Sequence, residues 1–452
     1  MHTTPETNDL LFQWKGRPPF RLTLPLALQH LIAMIVGCVT PAIILANTIG
    51  LPAADRILLI QASLVMAAIC TLFQLFPIGK HFGSGLPVIM GVSFAYLPIM
   101  QAIAGAGSGL SVIAGATIIG GITAMIVGLF IKQIRHLFPP IITGTVVLTI
   151  GISLYPTAVN YMAGGVANTR ELIVDIKGLT PALIYGSWQN WLIALFTMAI
   201  VIFLNFHGKG VFKLASILIG MTAGYIAAAF FGMINFSDVI HASWFSLPKF
   251  LHFGIEFDPA ACIALSILFA INSIQAIGDF TAITVGSMNR EPSDDELHGG
   301  ILAYGATNIL AALFGGLPTA TFSQNVGIVS TTKVINRTVF TLTGLFMLLA
   351  GISPKFAALL TTIPQCVLGG ATITVFSTIT MTGMRLIASQ KFTPRNMTIV
   401  GLSAAIGVGI TQAGTALSQF PPSITMIFGK SPVIIATILA VLLNLILPKD
   451  SE

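Results

Sequence analysis

Charge is scarce in this sequence. Asp, Glu, Lys and Arg together make up 8% of its 452 residues, where a soluble domain carries roughly a quarter. Four stretches, 22–54, 81–131, 136–169 and 396–429, contain none of them. So little charge excludes a soluble protein and makes lipid the solvent for most of the chain. Cysteine is also sparse. Cys38, Cys70, Cys262 and Cys366 lie in apolar stretches without a CxxC or Cys/His cluster. They read as buried thiols acting as small apolar residues, with no disulfide and no metal site expected. No GxSxG, HExxH or Walker A motif is present, which argues against an enzyme. No long basic run is present either, so the net charge of +6 points to orientation in a bilayer and not to nucleic acid. A cleavable signal peptide is not expected, because Met1–Trp14 is polar and includes acids.

What fills the sequence is apolar. Hydrophobic residues make up 55% and the mean hydropathy is +0.92. With about 20 residues needed per span, length and hydropathy predict fourteen spans. They fall near 24–47, 58–77, 88–104, 110–131, 141–162, 191–206, 213–234, 258–284, 299–316, 319–335, 338–353, 364–388, 397–412 and 430–448. The longest loops predicted are 163–190 and 235–257. With the N-terminus in the cytoplasm and sides alternating, 15 of the 21 basic residues fall on the cytoplasmic side and 6 outside. A count wrong by one span would largely erase that bias, so both termini are expected to be cytoplasmic.

Polar interruptions recur with an offset of seven spans. Span one carries Gln29-His30, Gly37 and Pro41, and span eight carries Asn272, Gln275 and Gly278-Asp279. Span three carries Gly91-Val92-Ser93-Phe94-Ala95-Tyr96, and span ten carries the amide-rich strip Gln324–Lys333. A repeat unit of seven spans must be inverted in the membrane, and paired interrupted spans point to a transporter's binding site.

Several residues in these spans can carry chemistry. Asp279 is the only acid between Asp258 and Glu291, with Gln275 one turn earlier on the same helix face. It reads as a proton or cation carrier, against a structural acid bonded to neighbouring backbone. His30 reads as a neutral histidine bridging helices, with a proton shuttle as the alternative. Gln324 and Asn325 each offer a donor and an acceptor that match a heterocycle with alternating N–H and C=O groups. Taken alone they serve equally well as inter-helix glue, but Ser323, Gly327, Ser330 and Thr331 nearby favour a site. Phe94 can stack on an aromatic ligand. Packing is the stronger reading for a lone Phe in a span, and only its pairing with span ten raises the other.

Gln324-Asn325-x-Gly327, four residues, then Thr332-Lys333 resembles the signature of the nucleobase–ascorbate transporter family, also called nucleobase:cation symporter family 2. That signature runs Gln, Glu or Pro, then Asn, any residue, Gly, four of any, Thr, then a basic residue or Gly. Leu28-Gln29-His30, Gly91–Ala95, Ala276-Ile277-Gly278-Asp279, Pro364 and Leu368-Gly369-Gly370-Ala371 are similar to further blocks of the family. The resemblance implies an all-α polytopic membrane fold of 7+7 inverted repeats, with short antiparallel strands in spans three and ten. It implies a cytoplasmic segment 1–23, a core domain from 24–135 and 258–355, and a gate domain from 136–257 and 356–452. It implies a homodimer in the plasma (cell inner) membrane that imports a nucleobase by alternating access and needs no cofactor.

By the same resemblance, Gln324 contacts the base edge and favours xanthine or uric acid over uracil, for which Glu is usual. Phe94 and Ala95 line the pocket, the Ser323 backbone amide meets the substrate, and Asn325 supports the site. Asp279 is the shared acid and His30 orders the core. Two positions depart from the family. Gln275 stands where a Glu is usual, and Tyr304 where purine carriers have another acid. That leaves Asp279, with His30 second, to couple transport to protons. Sodium is disfavoured because no second acid would bind it. The alternatives are a uracil permease, or a channel or anion exchanger, which would need a basic residue near the strands. A membrane enzyme would need clustered catalytic groups, which are absent from the sequence.

Overall fold

The computed structural model describes residues 9–79, 82–134, 139–165, 184–413, 415–429 and 431–448. Most of the loop expected at 163–190 lies outside them. So do Lys80, Arg135, Arg170, Lys177, Lys430 and Lys449, which contribute to the charge bias.

The chain is helical almost throughout. The first four helices are α1 (Phe20–Ile49), α2 (Ala53–Leu75), α3 (Leu97–Gly105) and α4 (Leu110–Leu129). They are followed by α5 (Pro140–Ser153), α6 (Tyr155–Met162), α7 (Trp188–His207) and α8 (Ser216–Phe230). The second half runs α9 (Pro259–Met288), α10 (Asp294–Leu313), α11 (Ser323–Thr332), α12 (Arg337–Gly351) and α13 (Pro354–Thr361). It ends with α14 (Gln365–Ala388), α15 (Pro394–Gln412), α16 (Pro422–Gly429) and α17 (Pro432–Ile446). Two three-residue strands, β1 (Met90–Val92) and β2 (Thr319–Thr321), precede α3 and α11. Among the described residues seven helices are long and apolar enough to cross a membrane, or eight if the bent pair α12 and α13 is one span. The chain is therefore a multi-pass membrane protein.

The interruptions expected in spans one and eight do not break them. α1 and α9 each run unbroken for 30 residues, about 45 Å at 1.5 Å per residue. Pro41 has no N–H to give to the turn below. The carbonyl it leaves without a helical partner is that of Gly37, and the helix nevertheless continues through it. The interruptions in spans three and ten are real. There β1 and β2 pair antiparallel, with Met90 opposite Thr321, Gly91 opposite Ala320 and Val92 opposite Thr319.

A two-stranded sheet at membrane depth exposes two unpaired edges, which lipid cannot satisfy. Side chains of the flanking helices do so instead. Thr71 on α2 accepts from Met90 N at 3.0 Å and shares its one proton between Ala67 O at 2.9 Å and Met90 O at 3.3 Å. Asn308 on α10 accepts from Thr319 N at 2.7 Å and donates to Thr319 O at 3.2 Å. Beyond the ladder, Ser93 N donates to Pro318 O at 3.1 Å and Phe322 N to Ile89 O at 2.9 Å.

The helices pack in two groups. One holds α1 to α4, both strands and α9 to α12, with α4 against α9 and α10, and α12 against α1 and α2. The other holds α5 to α8, α14, α15 and α17, with α5 and α14 crossing at its centre. Small residues allow the closest crossings. A Cβ on Gly121 would lie 2.7 Å from Gly305 O between α4 and α10. One on Gly383 would lie 2.8 Å from Gly144 O between α14 and α5. The contacts repeat along the chain: α4 on α10 and α12 on α2, α7 on α8 and α15 on α17.

Candidate functional site

The strand pair positions the residues singled out in the sequence. Each strand runs into a helix, β1 through a 3-10 turn (Phe94–Tyr96) into α3, and β2 directly into α11. The antiparallel register sends the two helices away from opposite ends of the pair. First-turn N–H groups of a helix have no acceptor within it, and such groups favour negative or carbonyl oxygen. In α11, Asn325 N and Val326 N both reach Phe322 O.

Asp279 lies on α9 beside the β2–α11 junction. The Thr321 hydroxyl donates to its Oδ2, and the Ser323 hydroxyl to Oδ1 at 3.1 Å and Oδ2 at 3.2 Å. The acid is thus held by side-chain hydroxyls and not by backbone, and it ties α9 to the strand. His30 and Asn325 also meet. Asn325 Nδ2 donates to His30 Nδ1 and to His30 O, both at 3.1 Å. Nδ1 is therefore the accepting nitrogen. The imidazole is fully buried and tilts against the Phe340 ring at 4.8 Å. This geometry is that of a neutral histidine joining α1 to α11.

Gln275 and Gln324 are half-buried, and neither has a hydrogen-bond partner among the described residues. Each has a glycine three residues on, hence on the same helix face: Gly278 and Gly327. Both glycines are exposed, and a Cβ on either would meet nothing within 4 Å. Two free amides therefore border open space on the two helices, α9 and α11, that Asp279 links.

Phe94 and Ala95 are buried at the other strand's end, where Ser93 Oγ accepts from Ala95 N at 3.2 Å. The Phe94–Tyr96 turn packs against α9. The Phe94 ring meets Phe376 of α14 edge-on at 5.0 Å, across the seam between the two helix groups. Gly91 and Gly37 make room for Phe322. A Cβ on Gly91 would lie 2.6 Å from that ring, and one on Gly37 3.0 Å.

Sequence reading missed Thr321, Thr71 and Asn308. The alternation of Thr319 and Thr321 about Ala320 was the available signal for a strand. Thr71 and Asn308 gave none, because a lone polar residue in a span does not reveal a strand edge. Tyr304, which replaces an acid, is buried with its hydroxyl bonded to that of Tyr96.

The model of a permease family matches residues 21–415. The chain belongs to this family, the one its signature residues pointed to. Uric acid permease PucK of Bacillus subtilis is 34% identical to it over 93% of this chain and 94% of its own. Xanthine permease XanP of Escherichia coli is 30% identical over 99% and 96%. Among solved structures, the transmembrane domain of the cyanobacterium bicarbonate transporter BicA superposes with a TM-score of 0.56 at 14% identity. That match covers 96% of this chain and all of the other. SLC26A9 superposes at 0.60 and 11% identity, over 94% of this chain and 65% of the other. These two share the fold. Membership of a permease family makes the chain a transporter and not an enzyme.

Proposed function

We propose that this chain imports a purine base, xanthine or uric acid, by proton symport. The observation that carries this reading is the pair of unpartnered amides, Gln275 and Gln324, bordering open space beside Asp279. An amide offers a donor and an acceptor, and two of them match the N–H and C=O groups along a purine edge. Phe94 packs on the ring, Ala95 and the Ser323 amide line the pocket, and Asn325 holds the wall through His30. Asp279 takes up and releases the proton, with His30 in support. The relatives named for xanthine and uric acid support the substrate class. Gln324 favours these bases over uracil. An anion exchanger is disfavoured, since no Lys or Arg occurs in 82–105, 272–279 or 319–330.

Fourteen spans in a 7+7 inverted repeat frame this mechanism. The antiparallel strands and the contacts that recur along the chain support that arrangement. The first helix group is the core domain (24–135 and 258–355) and the second the gate (136–257 and 356–452), following the cytoplasmic segment 1–23. Among the described residues, bonds between helices of the two groups are long, such as Thr157 Oγ1 to Gln101 Oε1 at 3.4 Å and Tyr161 OH to Ile44 O at 3.5 Å, while the segment 246–256 is tied to the core by shorter bonds such as Leu251 N to Leu313 O and His252 Nε2 to Asp55 Oδ1, both at 2.8 Å. Long bonds between the helix groups suit a core that slides against the gate. Both termini are cytoplasmic, the protein sits in the plasma (cell inner) membrane, and it works as a homodimer. Uptake of radiolabelled xanthine by cells expressing the chain, with unlabelled bases as competitors and with a protonophore, tests the reading. Competition by uric acid but not uracil, and collapse with the protonophore, are expected. Uptake indifferent to proton and sodium gradients would remove the symport.

A further inference from the structure

A polar cavity of about 630 Å³ lies at the end of α1 remote from the N-terminal segment. Its size falls in the range of about 300–1,000 Å³ usual for small-molecule sites. It occupies the same seam as the Phe94–Phe376 contact. Asn47 and Arg56 line it from α1 and α2, Asn190 and Gln365 from α7 and α14, and Asn235 and Asp238 from the segment after α8. Asn235 and Asp238 are exposed, so the cavity opens to the surface on their side.

Its wall carries unmet hydrogen-bonding capacity. Asn190 is 1% exposed, and its Nδ2 donates to Ala163 O and Ile184 O, but its Oδ1 has no partner. Arg56 donates from Nη2 to Leu51 O at 3.3 Å, while its buried Nε has none. Leaving such groups bare is costly unless water or a ligand meets them. Among the described residues no ion pair joins Arg56 to Asp238. One cation, one anion and amides around them suit a flat, uncharged molecule with carbonyl oxygens on one edge and N–H groups on another. A simple anion would meet Asp238, and a simple cation would meet Arg56.

We propose that this cavity is a second binding subsite, separate from the strand pair, for a planar oxo-heterocycle of the same class as the transported base. Arg56 meets its carbonyl oxygens and Asp238 its N–H edge, and the molecule waits there before passing along the seam. The proposal rests on the transport reading above. Its test uses Arg56→Gln and Asp238→Asn in the full chain, with equilibrium binding of labelled xanthine to purified protein and xanthine uptake by cells. Wild type should bind two equivalents and Arg56→Gln one. Each variant should raise KM about tenfold, the loss of one charge-assisted bond, with kcat within about twofold of wild type. Asp238 is exposed and makes no side-chain bond among the described residues, so its variant keeps the test valid if Arg56→Gln fails to fold. One equivalent bound to wild type, or wild-type KM in both variants, overturns the second subsite alone. A wild-type chain that takes up no purine overturns the transport reading as well.

Discussion

Asp279 shows how neighbours fix a single side chain. Two hydroxyls, of Thr321 and Ser323, point their protons at its carboxylate, and no cation lies among the polymer groups bonded to it. An acid so held can exchange a proton without losing its place. Asp279→Asn keeps the size and one acceptor oxygen, puts a donor in place of the other, and removes the titration. It should still bind xanthine within about tenfold of wild type while losing accumulation driven by a proton gradient, as read by binding and by uptake with a protonophore. Uphill accumulation by this variant would take the coupling role from Asp279. Gly91 shows the opposite constraint, one of space. Its missing side chain is filled by the Phe322 ring, so Gly91→Ala should destabilise by about 1–3 kcal/mol through overpacking, measured as a lower thermal midpoint in detergent. An unchanged midpoint would mean that β1 shifts freely. Gln275, Gln324, Asp279, His30 and Asn325 were all legible in the sequence, because polar groups in an apolar run stand out. Thr321 was not, because threonine is common in membrane helices, where its hydroxyl can bond its own backbone.

At the scale of elements, the strand pair depends on helices that do not belong to it. Thr71 and Asn308 occupy equivalent places on α2 and α10, each satisfying both groups of one strand-edge residue. Thr71→Val and Asn308→Leu each strand a buried N–H and C=O in an apolar setting, at about 1–3 kcal/mol per unsatisfied group. Both variants should melt earlier than wild type and transport more slowly. If Asn308→Leu retains full stability and uptake, water or another side chain covers that edge. The presence and rough bounds of the helices were readable from hydropathy. Which interruptions break a helix was not readable from hydropathy, although the family resemblance implied the strands in spans three and ten. Pro41 and Gly37 sit in an unbroken α1 whose second half is buried among its neighbours, whereas the segment around Val92 forms a strand. Hydropathy measures how apolar a segment is; strand pairing depends on a partner more than 200 residues away.

The whole molecule consists of two helix groups meeting along a seam that contains the Phe94–Phe376 contact and the cavity beside Arg56. Family membership was legible through local signatures such as Gln324-Asn325-x-Gly327, and the family model matches residues 21–415. The division into two groups was not derivable from composition, because both are equally apolar and differ only in which helices face each other. The proposed function rests on the amides beside the strand pair. The most direct measurement is the concentration dependence of xanthine uptake by wild type and Gln324→Ala, at matched amounts of protein in the membrane. Loss of one amide's donor and acceptor should lower kcat/KM by roughly 10- to 100-fold, from about 1.5–3 kcal/mol of binding. An unchanged kcat/KM in Gln324→Ala would contradict a base held between α9 and α11.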